Sequence, residues 1–93
     1  MIKTFGDKET KELYTKGKSK KFPPEILNRA LRKLEMIDMA NSIDDLRVPP
    51  SNHLEKLKGD LKDFYSIRIN NQYRIIFKFI NGNAYDVKIV DYH

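Results

Sequence analysis

The stretch FYSIRINNQYRIIFKF, Phe64 to Phe79, reads as two strands around a polar turn, and its register decides the fold. In a hairpin, a one-residue slip moves every side chain to the opposite face. A two-residue loop at Asn70-Asn71 sets Arg68 against Tyr73 and mixes apolar with charged residues on both faces. A three-residue loop, Asn70-Asn71-Gln72, instead pairs Ile69 with Tyr73, Ile67 with Ile75 and Tyr65 with Phe77, so that one face is wholly apolar. The second register is therefore expected. It sets Arg68 directly against Arg74 on the other face, where opposed like charges destabilise the ladder. Such a pair points to an anion site, unless carboxylates such as Asp63 or Asp91 hold the two apart.

The pattern continues on both sides. A three-residue loop at Asn81-Gly82-Asn83 pairs Phe79 with Tyr85, Phe77 with Val87 and Ile75 with Ile89, and sets Lys78 against Asp86. LEKLK, residues 54–58, reads as a further strand ending at Gly59-Asp60. Upstream, Asp7 caps a helix through about Tyr14, with Gly17 just past its end. Pro23-Pro24 precede a second helix, in which Leu27, Ala30, Leu31, Leu34 and Ile37 recur at helical spacing while Arg29, Arg32 and Lys33 lie off that stripe. The segment IDDLRVPPSN between them and the strands reads as an irregular loop, because Pro49-Pro50 oppose a helix. The expectation is an α+β fold, two N-terminal helices packed on a small antiparallel sheet, in one domain spanning residues 1–93.

Composition narrows the function classes. The 93 residues are 40% hydrophobic and 33% charged, as in a soluble globular protein with a heavily charged surface. Without cysteine there is neither a disulfide nor a thiolate metal site, and an intracellular setting is the simpler reading. No segment has the length of a signal peptide core or a membrane span, so a cytoplasmic location is expected. A membrane-surface role is disfavoured because the basic helix uses its apolar stripe for the core. The net charge of +5 is uneven: residues 1–33 hold ten Lys/Arg against four Asp/Glu, the rest eight against nine. The densest run, KGKSKK, contributes Lys16, Lys18, Lys20 and Lys21. Such a field attracts nucleic acid, or an acidic protein partner.

Several stretches together carry a family resemblance. MIKTF, RKLEMIDMA, LEKLKGD, FYSIRINNQYRIIF and IVDYH resemble the HigB branch of the RelE-like toxins over nearly the whole chain, with SIRINNQYRI and DYH as the specific part. The resemblance implies a bacterial, ribosome-dependent messenger RNA endoribonuclease that cuts in the ribosomal A site without a metal or other cofactor. It implies a HigA-like antitoxin partner with a helix-turn-helix DNA-binding domain, and the ribosome as a second partner. It places Glu55 where relatives carry a glutamate base, Arg74 at their phosphate-binding arginine and His93 at their general acid, with Arg68 and Lys58 as further cations. Some members have a histidine at the Glu55 position, so His53, two residues earlier, stands as a rival base.

This set of residues suits the chemistry. Metal-free RNA cleavage needs a base for the 2′-hydroxyl proton, cations for charge building on the phosphoryl oxygens, and an acid for the departing 5′-oxygen. A histidine with an ordinary pKa of about 6.5 donates readily near neutrality. Strict alternation puts Tyr92, and not His93, on the Arg68/Arg74 face, so His93 needs a bulge or a loosened end to turn inward. As the last residue, His93 also carries a carboxylate beside its ring. Lys16, Lys18, Lys20, Lys21, Arg29, Arg32 and Lys33 are the expected contacts to ribosomal RNA phosphates. The alternative is a non-catalytic RNA- or protein-binding module on the same fold. Stacking rings separate the two: the core register claims Tyr65, Tyr73, Phe77, Phe79 and Tyr85, leaving Phe64 and Tyr92 on the arginine face for one or two bases.

Overall fold

In the computed structural model, which describes residues 1–92, the Asp7 side chain starts the first helix by accepting from the Thr10 amide at 2.8 Å. Helix α1, Lys8–Lys16, stops where Gly17 takes φ 74° and returns its N–H to the Leu13 carbonyl. It runs slightly past the expected Tyr14. Helix α2, Pro24–Met39, opens on a proline, whose missing N–H the first turn does not need. Ala30, Leu34 and Ile37 are buried as expected, whereas Leu27 and Leu31 sit at the margin and Ile26 lies deeper. Lys33 departs from the expected polar face. It is only 9% exposed, because its ammonium turns into the protein and donates to the Asn52 side chain.

Asn52 is fully buried, and its amide also donates to the Leu46 carbonyl at 3.1 Å. This one side chain ties the segment before the sheet to α2. That segment is more regular than expected, with 3₁₀ turns at Ile43–Arg47 and Pro50–Asn52. Pro50 begins the second turn, where a proline costs no hydrogen bond.

Four antiparallel strands follow in spatial order: β1 Glu55–Lys56, β2 Tyr65–Arg68, β3 Tyr73–Ile80 and β4 Asn83–Asp91. The β2–β3 register is the expected one, with Tyr65 opposite Phe77, Ile67 opposite Ile75 and Arg68 opposite Arg74. β1 covers only two residues of the expected five, since the chain turns off at Gly59 (φ 67°).

The second hairpin corrects its expectation. Ile75 does oppose Ile89, but Phe79 opposes Ala84 and Lys78 opposes Tyr85, so the loop has two residues, Asn81-Gly82, both at positive φ. This is the turn preferred by Asn-Gly, whose backbone twist matches that of the strands. A bulge absorbs the difference: Asp86 (φ 53°) and Val87 together face Phe77. Phe77 and Val87 therefore stay in the core without being simple partners, and Ala84 takes the inward place expected of Tyr85. Tyr85 moves to the outer face. The Lys78–Asp86 ion pair forms across the bulge at 3.3 Å, although the two are not register partners.

The amino-terminal segment runs parallel along β4, through bridges of Ile2 to Ala84 and Phe5 to Val87. Asp38 of α2 binds this segment to both helices, accepting from the Ile2 amide at 2.7 Å and the Tyr14 hydroxyl at 3.1 Å. Burial and this carboxylate push the Tyr14 phenol up to about 12. Past Gly6, the Thr10 hydroxyl of α1 takes over and accepts from the Ile89 amide at 3.0 Å. Both groups are inside, so Thr10→Val, equal in size but without the hydroxyl, leaves a buried N–H unpaired at a cost of about 1–3 kcal/mol. Thermal unfolding should show Tm falling by about 4–8 °C for each kcal/mol in a domain of this size. An unchanged Tm would mean that water replaces the hydroxyl.

Candidate active site

Alternation along the strands builds one polar face. Ser66 and Arg68 lie two residues apart on β2, Arg74 pairs with Arg68, and Glu55 pairs with Ser66, so all four project from the side away from the helices. Arg74 is the centre of the contacts. Its guanidinium lies 3.0 Å from the Glu55 carboxylate and donates to the Ser66 hydroxyl at 2.7 Å and the His53 carbonyl at 3.4 Å. The Tyr92 ring covers it, with its centroid 5.2 Å away. The arginine side chain is 14% exposed and the glutamate 52%. The cation is thus seated within the protein while its carboxylate stays at the rim, and an entering phosphate can compete for a guanidinium whose planar donors suit phosphate oxygens.

Arg68 starts opposite Arg74 but ends elsewhere. Its guanidinium donates to the Asn71 side chain and lines a groove of about 490 Å³ with Arg29, Arg32 and Lys33. Arg29 is fixed there by donating to the Ile69 carbonyl at 3.2 Å. Burial, and then the nearby Arg29 and Arg32, lower the Lys33 ammonium from the ordinary lysine value.

The remaining expected residues are more scattered. Lys58 is exposed at the start of the Gly59–Leu61 turn, outside the Arg74 contacts. The His53 ring is on an exposed residue in a left-handed conformation, φ 46°, and its carbonyl is what meets Arg74. In the basic run, Lys16, Lys18 and Lys20 are exposed, while Lys21 is drawn to Glu9 at 3.7 Å and lies over the Phe22 ring. Phe64 sits under the Lys78 ammonium, 5.3 Å from ring centroid to nitrogen. His93 lies outside the described residues.

Two contributors were not among the expected site residues. Ser66, fully buried, was legible as the residue two before Arg68 on the same face. The His53 carbonyl has no sequence signature, because any residue supplies one.

Comparison with known proteins matches residues 3–93 to a family described as the RelE-like toxin of the type II toxin-antitoxin system HigB. Toxin HigB-1 of Vibrio cholerae serotype O1 is 44% identical over 85 residues, covering 90% of each chain. Endoribonuclease HigB of Proteus vulgaris is 39% identical over 93 residues, covering both chains completely. Among solved structures, the YoeB-YefM complex from Staphylococcus aureus matches with TM-score 0.63 at 19% identity, over 100% of this chain and 98% of that one. YafQ from E. coli strain BL21(DE3) gives 0.64 at 16%, over 98% and 91%. At these identities the two structures bear on the fold alone.

Because Glu55 is half in water, its pairing with Arg74 should be weak and exchangeable. A double-mutant cycle of Glu55→Gln and Arg74→Gln, read by denaturant unfolding, should give a coupling of about 1 kcal/mol or less. A coupling of about 3–5 kcal/mol would instead mark a buried structural bridge that no substrate could open.

Proposed function

The chain belongs to the HigB-like family of RelE-like toxins of type II toxin-antitoxin systems, and from that premise we propose that it is an endoribonuclease that cleaves messenger RNA in the ribosomal A site. The observation that carries this reading is the contact of Glu55 with Arg74 on an open sheet face, under the Tyr92 ring. A carboxylate, a guanidinium and an aromatic ring stand together there, which supports the roles of base, phosphate contact and stacking ring in this reading.

The proposed reaction needs no metal. The scissile phosphate displaces Glu55 from the Arg74 guanidinium, and the freed carboxylate takes the proton of the 2′-hydroxyl. The 2′-oxygen attacks phosphorus, forming its bond as the bond to the 5′-oxygen breaks. Arg74, held in aim by Ser66, offsets the charge that builds on the phosphoryl oxygens, with Lys58 and Arg68 adding positive potential. His93 protonates the leaving 5′-oxygen, and the products are a 2′,3′-cyclic phosphate and a 5′-hydroxyl. Tyr92 stacks on a base beside the cleaved bond.

In this proposal residues 1–93 act as one cytoplasmic domain. Lys16, Lys18, Lys20, Lys21, Arg29, Arg32 and Lys33 contact RNA phosphates, and a HigA-like helix-turn-helix antitoxin neutralises the toxin. That the family is described as the toxin of a type II toxin-antitoxin system supports an antitoxin partner.

Removing one group aimed at transition-state charge should cost about a hundredfold or more. Arg74→Ala should therefore cleave ribosome-bound message about a hundred times more slowly while keeping the fold and ribosome affinity. Wild-type rates in that variant would leave a binding module as the reading.

A second series assigns the base and the acid. Glu55→Gln should abolish most cleavage and His53→Ala little, and the reverse order would transfer the base to His53. His93→Gln should slow single-turnover cleavage by about 10²–10⁴ and remove the alkaline limb of the pH profile. Full activity in that variant would remove His93 from the mechanism.

A further inference from the structure

We propose that the groove between α2, the 49–51 segment and the end of β2 is a second phosphate site, which holds the messenger strand beside the phosphate that Arg74 receives. This rests on the endoribonuclease reading and specifies where the substrate runs.

Charge is the first argument. Arg29, Arg32, Lys33 and Arg68 share one concavity of about 490 Å³, within the range of about 300–1,000 Å³ typical of ligand sites. Among the described residues the ion pairs join Lys21 to Glu9, Arg47 to Asp44, Arg74 to Glu55 and Lys78 to Asp86, so none involves these four cations. The partners of Arg29, Lys33 and Arg68 are neutral oxygens: the Ile69 carbonyl and the side chains of Asn52 and Asn71. Those contacts orient the cations without offsetting their mutual repulsion. An anion supplies what the protein withholds.

Position is the second argument. β1 covers β2 only at Tyr65 and Ser66, so the β2 edge at Arg68 and Ile69 is left to the groove. Arg68 stands directly across the ladder from Arg74, so a strand whose phosphate reaches Arg74 has the groove as its next stop. The lining contains no aromatic ring, so it offers nothing for a base to stack on. The groove therefore reads backbone and is indifferent to sequence. Arg68 serves the neighbouring phosphate, and Arg74 alone meets the scissile one.

The test is binding of the full chain to a short single-stranded RNA, 2′-O-methylated so that it cannot be cut, across a range of salt. Arg32→Gln combined with Arg68→Gln should weaken binding about tenfold or more, and should reduce the slope of log K against log salt by about 0.7 for each phosphate that is no longer neutralised. Replacing both arginines with lysine in place of glutamine should restore most of the slope. On ribosomes, the loss should appear only when message fills the A site. Unchanged affinity and slope, an equal loss on ribosomes without message, or a loss that lysine does not rescue would overturn the proposal. So would RNA binding that stays intact while antitoxin binding fails, since the groove would then be a protein site. No cleavage is measured in this assay. An inactive chain that shows the expected pattern would sink the endoribonuclease reading and leave the phosphate site standing; an active chain with unchanged RNA binding would do the opposite.

Discussion

Asn70 holds the molecule in register. Its side-chain oxygen accepts from the Gln72 amide at 2.9 Å and the Tyr73 amide at 2.7 Å, which closes a three-residue loop before Ile69 and Tyr73 begin to pair. The alternative register would put Arg74 beside Ile67 and Arg68 beside Ile75, so burying either face would bury an arginine and expose one of these isoleucines, losing about 1.5–3 kcal/mol for each aliphatic side chain turned out. Turn chemistry and core burial therefore choose the same pairing. The arginines are opposed because nothing else lets Ile67, Ile75 and Phe77 share the core.

The first hairpin was legible for that reason: two independent signals agreed. In the second, the apolar pattern alone favoured a three-residue loop, because it placed Tyr85 inward beside Phe79. Asn81-Gly82 is a two-residue turn with both residues at positive φ, and the frame shift it creates is taken up by the bulge at Asp86. A bulge adds one residue without changing residue types, so periodicity cannot reveal it. Its effects are local. Tyr85 moves to the outer face with Lys78, while Ile75 and Ile89 keep their pairing and Arg68 still opposes Arg74.

The site was legible only where it follows from the sheet. Glu55 reaches Arg74 because β1 pairs through Ser66, a consequence of the same alternation that aligned the arginines. Lys33 was misplaced because a helical wheel counts a lysine as solvent-facing and cannot foresee a buried amide waiting for it. Asn52 accepts the ammonium, and the long aliphatic stem makes the burial tolerable. The groove was equally hidden, since Arg68 and the α2 cations lie far apart in sequence and meet only because the edge of β2 is uncovered beyond Ser66.

The two opposed arginines share an origin but differ in what surrounds their ends, and this difference divides the face by chemistry. Arg74 meets a carboxylate, a hydroxyl and a carbonyl; Arg68 meets an amide oxygen and three other cations. A phosphate is attracted to either place, but only beside Arg74 is there a group able to take a proton. Adding cations deepens attraction everywhere along the face and so raises affinity without selecting a bond to break. The half-exposed Glu55 lowers affinity at its own position, since an incoming phosphate has to displace it. On the proposed mechanism that competition is what localises the reaction: the phosphate that expels the glutamate is the one beside which the glutamate is left free to act as base. On this mechanism the four-cation groove holds RNA and the carboxylate at Arg74 directs cleavage, so the position of one carboxylate across the ladder separates the two.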